Sequence, residues 1–352
     1  MKRLLATLFV GMLACGGFFG FDGFEAKACT RVVYEGNDSL IIVGRSLDWK
    51  TPIPTNVYVY PRGMKKVGSN VKNAVKWTSK YGAVYAVGYD AGVTEGMNEM
   101  GLSVNGLFCK GTIYSNDTNS DRPAMSLAVF PAWILDLCST TDEAVDLLKN
   151  QDFTLSGATF DGGTVSVLHW GITDRSGHSV IVEFVNGDIT IHDMGKYPCM
   201  TNDPNWPQMK AIIDYWQKIG GTNALPGTVS SPDRCVRGTF FVEHVEKTAD
   251  PDLGASILRT VMNNVSVPYS YHTSANGEPN VSMTQWRSFS NLRDLRYYFD
   301  IYTNNGFNYV DLSRLDLYPG APVLKLTTAD QANQVGCVND RLERVAPFTP
   351  MY

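Results

Sequence analysis

The sequence predicts an α+β fold, with strands in antiparallel blocks and helices grouped between them. Three observations carry this. Short β-branched and aromatic runs are separated by Gly, Asn, Asp and Pro at turn spacing, and Asn186-Gly187 between two such runs is a strong hairpin signal. The helical patterns come in neighbouring groups, so the regular strand–helix alternation of a parallel doubly wound sheet is missing. No internal repeat or low-complexity linker interrupts the chain, and residues 29–352 read as one folded unit.

The elements follow in order. Residues 31–34 and 40–45 are apolar and β-branched, and Glu35-Gly36-Asn37-Asp38-Ser39 between them is turn chemistry, which gives a hairpin. Residues 56–60 alternate as a strand closed by Pro61-Arg62-Gly63, and 81–89 form another β-rich run. Residues 96–102 read as a glycine-bounded turn leading into a strand over 102–109. Residues 125–137 are apolar at helical spacing. Thr140-Thr141-Asp142-Glu143 has the capping-box pattern and opens a helix ending near Asn150. Strands follow over 164–172, 179–185 and 188–192, then helices over 207–219, 232–247 and 251–265. After a polar loop over 269–282 the chain returns to strands over 285–302, 307–312 and 323–326.

The first 28 residues read as an export signal. Met1-Lys2-Arg3 is a positive start, residues 4–21 are apolar, and Ala26-Lys27-Ala28 is an A-x-A cleavage pattern. Cleavage there makes Cys29 the first residue of an exported protein, periplasmic or secreted. Met12-Leu13-Ala14-Cys15 is an imperfect lipoprotein-type alternative that would leave a lipid-anchored chain. The formal net charge is −5 with no basic block, which argues against nucleic acid and polybasic membrane binding. Seven cysteines occur without a C-x-x-C pair, and the five histidines are scattered without H-E-x-x-H. Neither a P-loop nor G-x-G-x-x-G follows a strand, so no cofactor and no metal is expected.

A terminal Cys29 would carry both a thiol and an α-amine. The thiolate is the attacking form of cysteine, and an α-amine titrates near about 7.7 to 8.0, suited to a general base. Arg45 and Asp48 lie at the end of the strand that pairs back toward Cys29; a carboxylate there can orient the amine and a cation favours the thiolate. Spacing alone leaves an ordinary ion pair equally open. Asn202, between a strand and a helix, offers an amide for an oxyanion, or equally a turn residue. Arg234 near a helix start opposes the helix dipole, so another role must retain it.

With these residues in view, the chain resembles the choloylglycine hydrolase family of N-terminal nucleophile hydrolases, which includes bile salt hydrolases and penicillin V acylases. The resemblance rests on Cys29-Thr30-Arg31, Arg45 with Asp48, Gly96-Met97-Asn98-Glu99, Thr201-Asn202, and Leu225-Pro226-Gly227 followed by Arg234. It implies a four-layer αββα sandwich and a site built from Cys29, Arg45, Asp48, Asn202 and Arg234. The substrate implied is a small N-acyl compound cleaved at a linear amide. After Gly106-Leu107 the family usually has Asn in bile salt hydrolases and Tyr in penicillin V acylases; here Phe108 stands there, and only its backbone N–H can serve an oxyanion. Trp49 directly after Asp48 resembles the exported Gram-negative branch. The family also implies a homo-oligomer, tetramer or dimer, although no obvious inserted assembly loop lies between Asn202 and Gly227. Trp49, Tyr58, Tyr60 and Phe108 would suit the surroundings of an apolar acyl group, or equally a plain core. An acyl-homoserine-lactone acylase and a non-catalytic secreted binding module on the same scaffold are the alternatives.

Overall fold

The structure, a computed structural model, describes residues 29–114, 121–160, 163–220, 223–269, 282–331 and 333–352. The export signal, Cys15 and most of the polar loop over 269–282 lie outside these residues.

Two sheets form the centre. In the first, β1 (Thr30–Glu35) pairs with β2 (Ile41–Trp49) as the hairpin expected from the turn chemistry, with Thr30 opposite Ser46. Cys199–Met200 joins β1 on one side, and Met283–Asn291 joins β2 on the other, continuing outward through Arg296–Ile301 and Asn308–Asp311. The second sheet has nine strands, all antiparallel to their neighbours. Its middle is Leu168–Thr173, Ser103–Phe108, Gly92–Asn98, Ala83–Gly88 and β3 (Thr55–Tyr60).

The core divides into three apolar clusters, and these define the layers. Val33, Val43 and Leu47 of the first sheet meet Val57, Val84 and Met97 of the second, so the sheets pack face to face. The opposite face of the first sheet, with Val32 and Ile42, is covered by Met209, Val236, Leu258 and Met262 from α3 (Trp206–Ile219), α4 (Ser231–His244) and α5 (Pro251–Val265). Tyr85 and Trp170 on the outer face of the second sheet pack on Phe130 and Trp133 of α1 (Phe130–Leu137) and Ala144 of α2 (Thr141–Lys149). Successive strand residues point to opposite faces, so β2 feeds two clusters at once. Gly44 lets α5 approach: a Cβ there would sit 3.1 Å from Leu258 and Met262 side-chain atoms. The architecture is the αββα sandwich.

Several expected boundaries move. The helix expected over 125–137 begins only at Phe130, because Ala124–Ser126 is a short strand paired with Thr154–Ser156. Pro131, which has no N–H to give, sits in the first turn, where none is needed. The helix expected to reach residue 247 stops at His244, and the chain then bends so that the Glu246 carbonyl accepts from Tyr34 Oη at 2.8 Å. The turn expected over 96–102 is narrower, since the strand runs through Asn98. Asn98 makes that turn: its Oδ1 accepts from Met100 and Leu102 N–H, and its Nδ2 donates to Leu135 and Cys138 carbonyls at the end of α1. The Gly96–Glu99 motif is therefore architecture. At α2, Thr140 caps the Glu143 N–H, but the Glu143 carboxylate accepts from Ser139 rather than from the cap residue.

Candidate active site

Five expected site residues converge at one end of β1 and β2. Cys29 immediately precedes β1 and is buried. Its backbone N–H donates to Asn202 Oδ1 at 2.6 Å. Arg234, buried in the first turn of α4, donates from Nη1 to the Cys29 carbonyl at 2.7 Å and to Thr30 Oγ1, and from Nη2 to Asn202 Oδ1 at 2.9 Å. This is a role that retains a cation at a helix start: its fork ties the Cys29 backbone to the amide of Asn202. Burial lowers the Arg234 pKa, while Asp48 and the nearby sulfurs oppose that.

Arg45 and Asp48 reach the cluster because β2 pairs with β1. Arg45 Nη2 donates to the Gly106 carbonyl at 2.8 Å and stands 4.0 Å from Cys29 Sγ. Asp48 is fully buried, with Cys29 Sγ 3.9 Å from its backbone carbonyl. Burial raises the Asp48 carboxyl to about 6, against the pull of Arg234, a hydrogen bond from Thr284, and Arg45. Its Oδ1 is buried without a hydrogen-bond partner among the described residues.

Asn202 uses both ends of its amide, because Nδ2 donates to the Phe108 carbonyl at 2.8 Å. An amide nitrogen carries two N–H groups, so one further donor remains at that atom. Phe108 and Trp49 also meet directly, with ring centroids 5.7 Å apart, and Phe160 stands 5.3 Å from Trp49. These rings, with Leu47, Leu168 and Met351, line a cleft whose wall includes Cys29. Tyr58 and Tyr60, open between cleft and core on sequence, sit in the core beyond the second sheet. Tyr58 stacks edge-on against Phe348.

Two supporting residues escaped the sequence reading. Glu95 is buried and forms an ion pair with Arg45 Nε at 3.2 Å; its Oε1 accepts from Tyr297 Oη at 2.7 Å and from Ser288. A carboxylate two residues before the core residue Met97, on the same face of a strand, was the available signal. The second is His169. Its Nε2–H donates to the Thr201 carbonyl at 2.7 Å, and its Nδ1 faces Glu183 Oε1 at 3.6 Å. Glu183 in turn accepts the Trp206 N–H at 2.8 Å and meets His192 Nε2 at 3.1 Å. The segment carrying Asn202 is thus pinned on both sides. Asp203 adds a third pin, accepting from the Lys110 and Gly111 N–H groups at 3.0 and 3.3 Å.

Burial pulls the His169 imidazole down, but Cys109 and Glu183 outweigh it and lift the ring to about 10, while its hydrogen bonds overcome burial and draw Glu183 to about 2. The stabilisation from the His169 shift is therefore complete below about 6.5 and lost only as pH rises through about 10. Replacing His169 by Leu removes one partner of a buried pair and should cost about 3 to 5 kcal/mol in urea unfolding. His169→Gln, which still offers an N–H to the Thr201 carbonyl, should lose less; equal losses would contradict this role.

The described cysteines, Cys29, Cys109, Cys138, Cys199, Cys235 and Cys337, are all free thiols. No described helix is long and apolar enough to cross a membrane.

Comparison with known proteins places this arrangement. Residues 29–334 match the family model described as linear amide C–N hydrolases, choloylglycine hydrolase family. A penicillin V acylase from Pectobacterium atrosepticum is 33% identical over 345 residues, covering 91% of each chain. A bile salt hydrolase/transferase from Clostridium perfringens is 26% identical over 318 residues, covering 82% of this chain and 94% of the other. The solved penicillin V acylase from Agrobacterium tumefaciens superposes with a TM-score of 0.83 at 36% identity, covering 92% of this chain and 99% of the other. The conjugated bile acid hydrolase from Clostridium perfringens, at 23% identity, covers 88% and 99% with a TM-score of 0.71 and speaks to the fold alone.

Proposed function

This chain belongs to the choloylglycine hydrolase family of linear amide C–N hydrolases, and we propose that it cleaves the amide of a small N-acyl substrate with Cys29 as nucleophile. The observation that carries this is the largely apolar cleft lined by Cys29 together with Arg45 and Asp48. In this reading export removes residues 1–28, and 29–352 act as one catalytic unit in the periplasm or outside the cell. The Cys29 nitrogen is then an α-amine. The amine takes the thiol proton, and the thiolate attacks the substrate carbonyl. The second N–H of Asn202 and the backbone N–H of Phe108 hold the oxyanion. The C–N bond breaks as the ammonium returns its proton to the leaving amine. Water, deprotonated by the same amine, then attacks the thioester, releasing the acid and restoring the thiol.

The acyl side is bulky and apolar, because Trp49, Phe108 and Phe160 form the cleft walls. The relative at 33% identity is a penicillin V acylase, so a phenoxyacetyl amide is the first substrate to test, followed by a conjugated bile salt and an acyl-homoserine lactone. Assembly into a homo-oligomer rests on the resemblance alone. The decisive measurement is amine release from penicillin V, taurocholate, glycocholate and an acyl-homoserine lactone by protein that begins at Cys29. Turnover of at least one is expected, and turnover of none overturns the reading.

A further inference from the structure

Residues 343–352 leave the edge of the second sheet and return across the molecule to the cleft. Glu343–Val345 pairs with Val323–Leu326. Phe348 then lays its ring against Tyr58 and Tyr60, centroids 5.5 and 5.8 Å away, and donates its N–H to Tyr60 Oη at 3.0 Å. Met351 is fastened by its backbone on both sides: its N–H donates to the Ala91 carbonyl at 2.9 Å, and its carbonyl accepts from Ser126 Oγ at 3.2 Å. The same residue lines the Cys29 cleft, beside Gly88, Gly92 and Ala128. Those three have little or no side chain, so they leave room on that side that Met351 borders. The family match ends at residue 334 and does not include this wall.

We propose that Met351 is a specificity-determining residue whose side chain sets the size of acyl group that the cleft admits. This rests on the amide-hydrolase reading above. Methionine is unbranched and adaptable, so it closes the space against a small acyl group and gives way only partly to a larger one. Because both anchors are backbone or Ser126 atoms, changing the Met351 side chain leaves the segment fastened.

The test uses Met351→Ala and Met351→Trp, checked for parental thermal unfolding, in protein that begins at Cys29. Two quantities are read across a series from butanoyl to dodecanoyl: kcat/KM for N-acyl amides of one amine, and the Kd of the matching free carboxylic acids by calorimetry. Removing the side chain should raise the preference for the longest over the shortest acyl group on the order of tenfold, and Trp should lower it similarly. The acid series should shift in the same directions. Unchanged preferences in both variants overturn the proposal. If no amide is turned over but the acids bind with a Met351-dependent size limit, the wall stands and the hydrolase reading fails. If no amide is turned over and no acid binds, both fail.

Discussion

Asp48→Asn should fold as well as the parent and lose roughly 10²- to 10⁴-fold in kcat, the range of a general acid–base function. The two halves of that expectation have separate causes. Burial lifts the Asp48 carboxyl from 3.8 to about 6 even with Arg234 and Arg45 opposing. Its folded state therefore binds a proton more tightly than its unfolded state. Keeping the group ionised in the fold at neutral pH costs about 3 kcal/mol, a cost that is absent below about 4 and grows as pH rises to about 6. Asn carries no such cost, so the variant should match or exceed the parent in thermal stability at pH 7, and the difference should vanish toward pH 4. Activity should move oppositely. In the proposed mechanism an ionised Asp48 carboxylate would stabilise the charged form of the Cys29 amine during proton transfer, with the buried Oδ1 as the atom that would accept from it. The parent's kcat/KM should therefore fall as pH drops through about 6, and the variant's residual rate should lack that limb. Activity lost only in proportion to soluble protein would make Asp48 a structural residue.

What the sequence disclosed follows the range of the interactions involved. The β1–β2 hairpin was legible because a period of two and a five-residue turn are local signals, and that hairpin alone carries Arg45 and Asp48 to Cys29. Asn202 and Arg234 are different. They lie 173 and 205 positions from Cys29, and no local pattern states that they meet; the family motifs supplied them. The role of Arg234 became physical only in the structure, where its guanidinium joins two distant segments. Glu95 and His169 were missed because a buried charge is recognised by its partner, and the partners, Arg45 and Glu183, lie on other strands. Tyr58 and Tyr60 stayed open between cleft and core for a related reason: an aromatic strand fits either side of a sheet, and composition cannot choose the side; the structure puts them in the core. The early helix boundary at 125 failed because an apolar run ahead of a proline reads equally as strand or helix until its pairing with Thr154–Ser156 is known.

The α-amine is separable from the thiol by a single added residue. If the protein is made so that Ala28 remains ahead of Cys29, activity should fall by roughly 10²-fold or more, in a protein whose fold and thiol are unchanged. The structure explains why the fold would tolerate the change. The Cys29 nitrogen donates to Asn202 Oδ1 at 2.6 Å, and a peptide N–H can keep that bond. The Arg234 bond to the Cys29 carbonyl and the Arg45 approach to its sulfur do not involve that nitrogen at all. What is lost is the capacity to accept a proton, since an amide nitrogen has no basic lone pair, together with the further N–H groups that an amine could offer Asp48. Thermal unfolding should therefore match the processed protein, while acyl-enzyme formation in a single-turnover experiment slows. Removal of Ala28 by an aminopeptidase should restore the rate. A homogeneous Ala28-extended protein with full activity would assign the base elsewhere. His169 is poorly suited to that part, because one ring nitrogen is committed to the Thr201 carbonyl and the other faces Glu183.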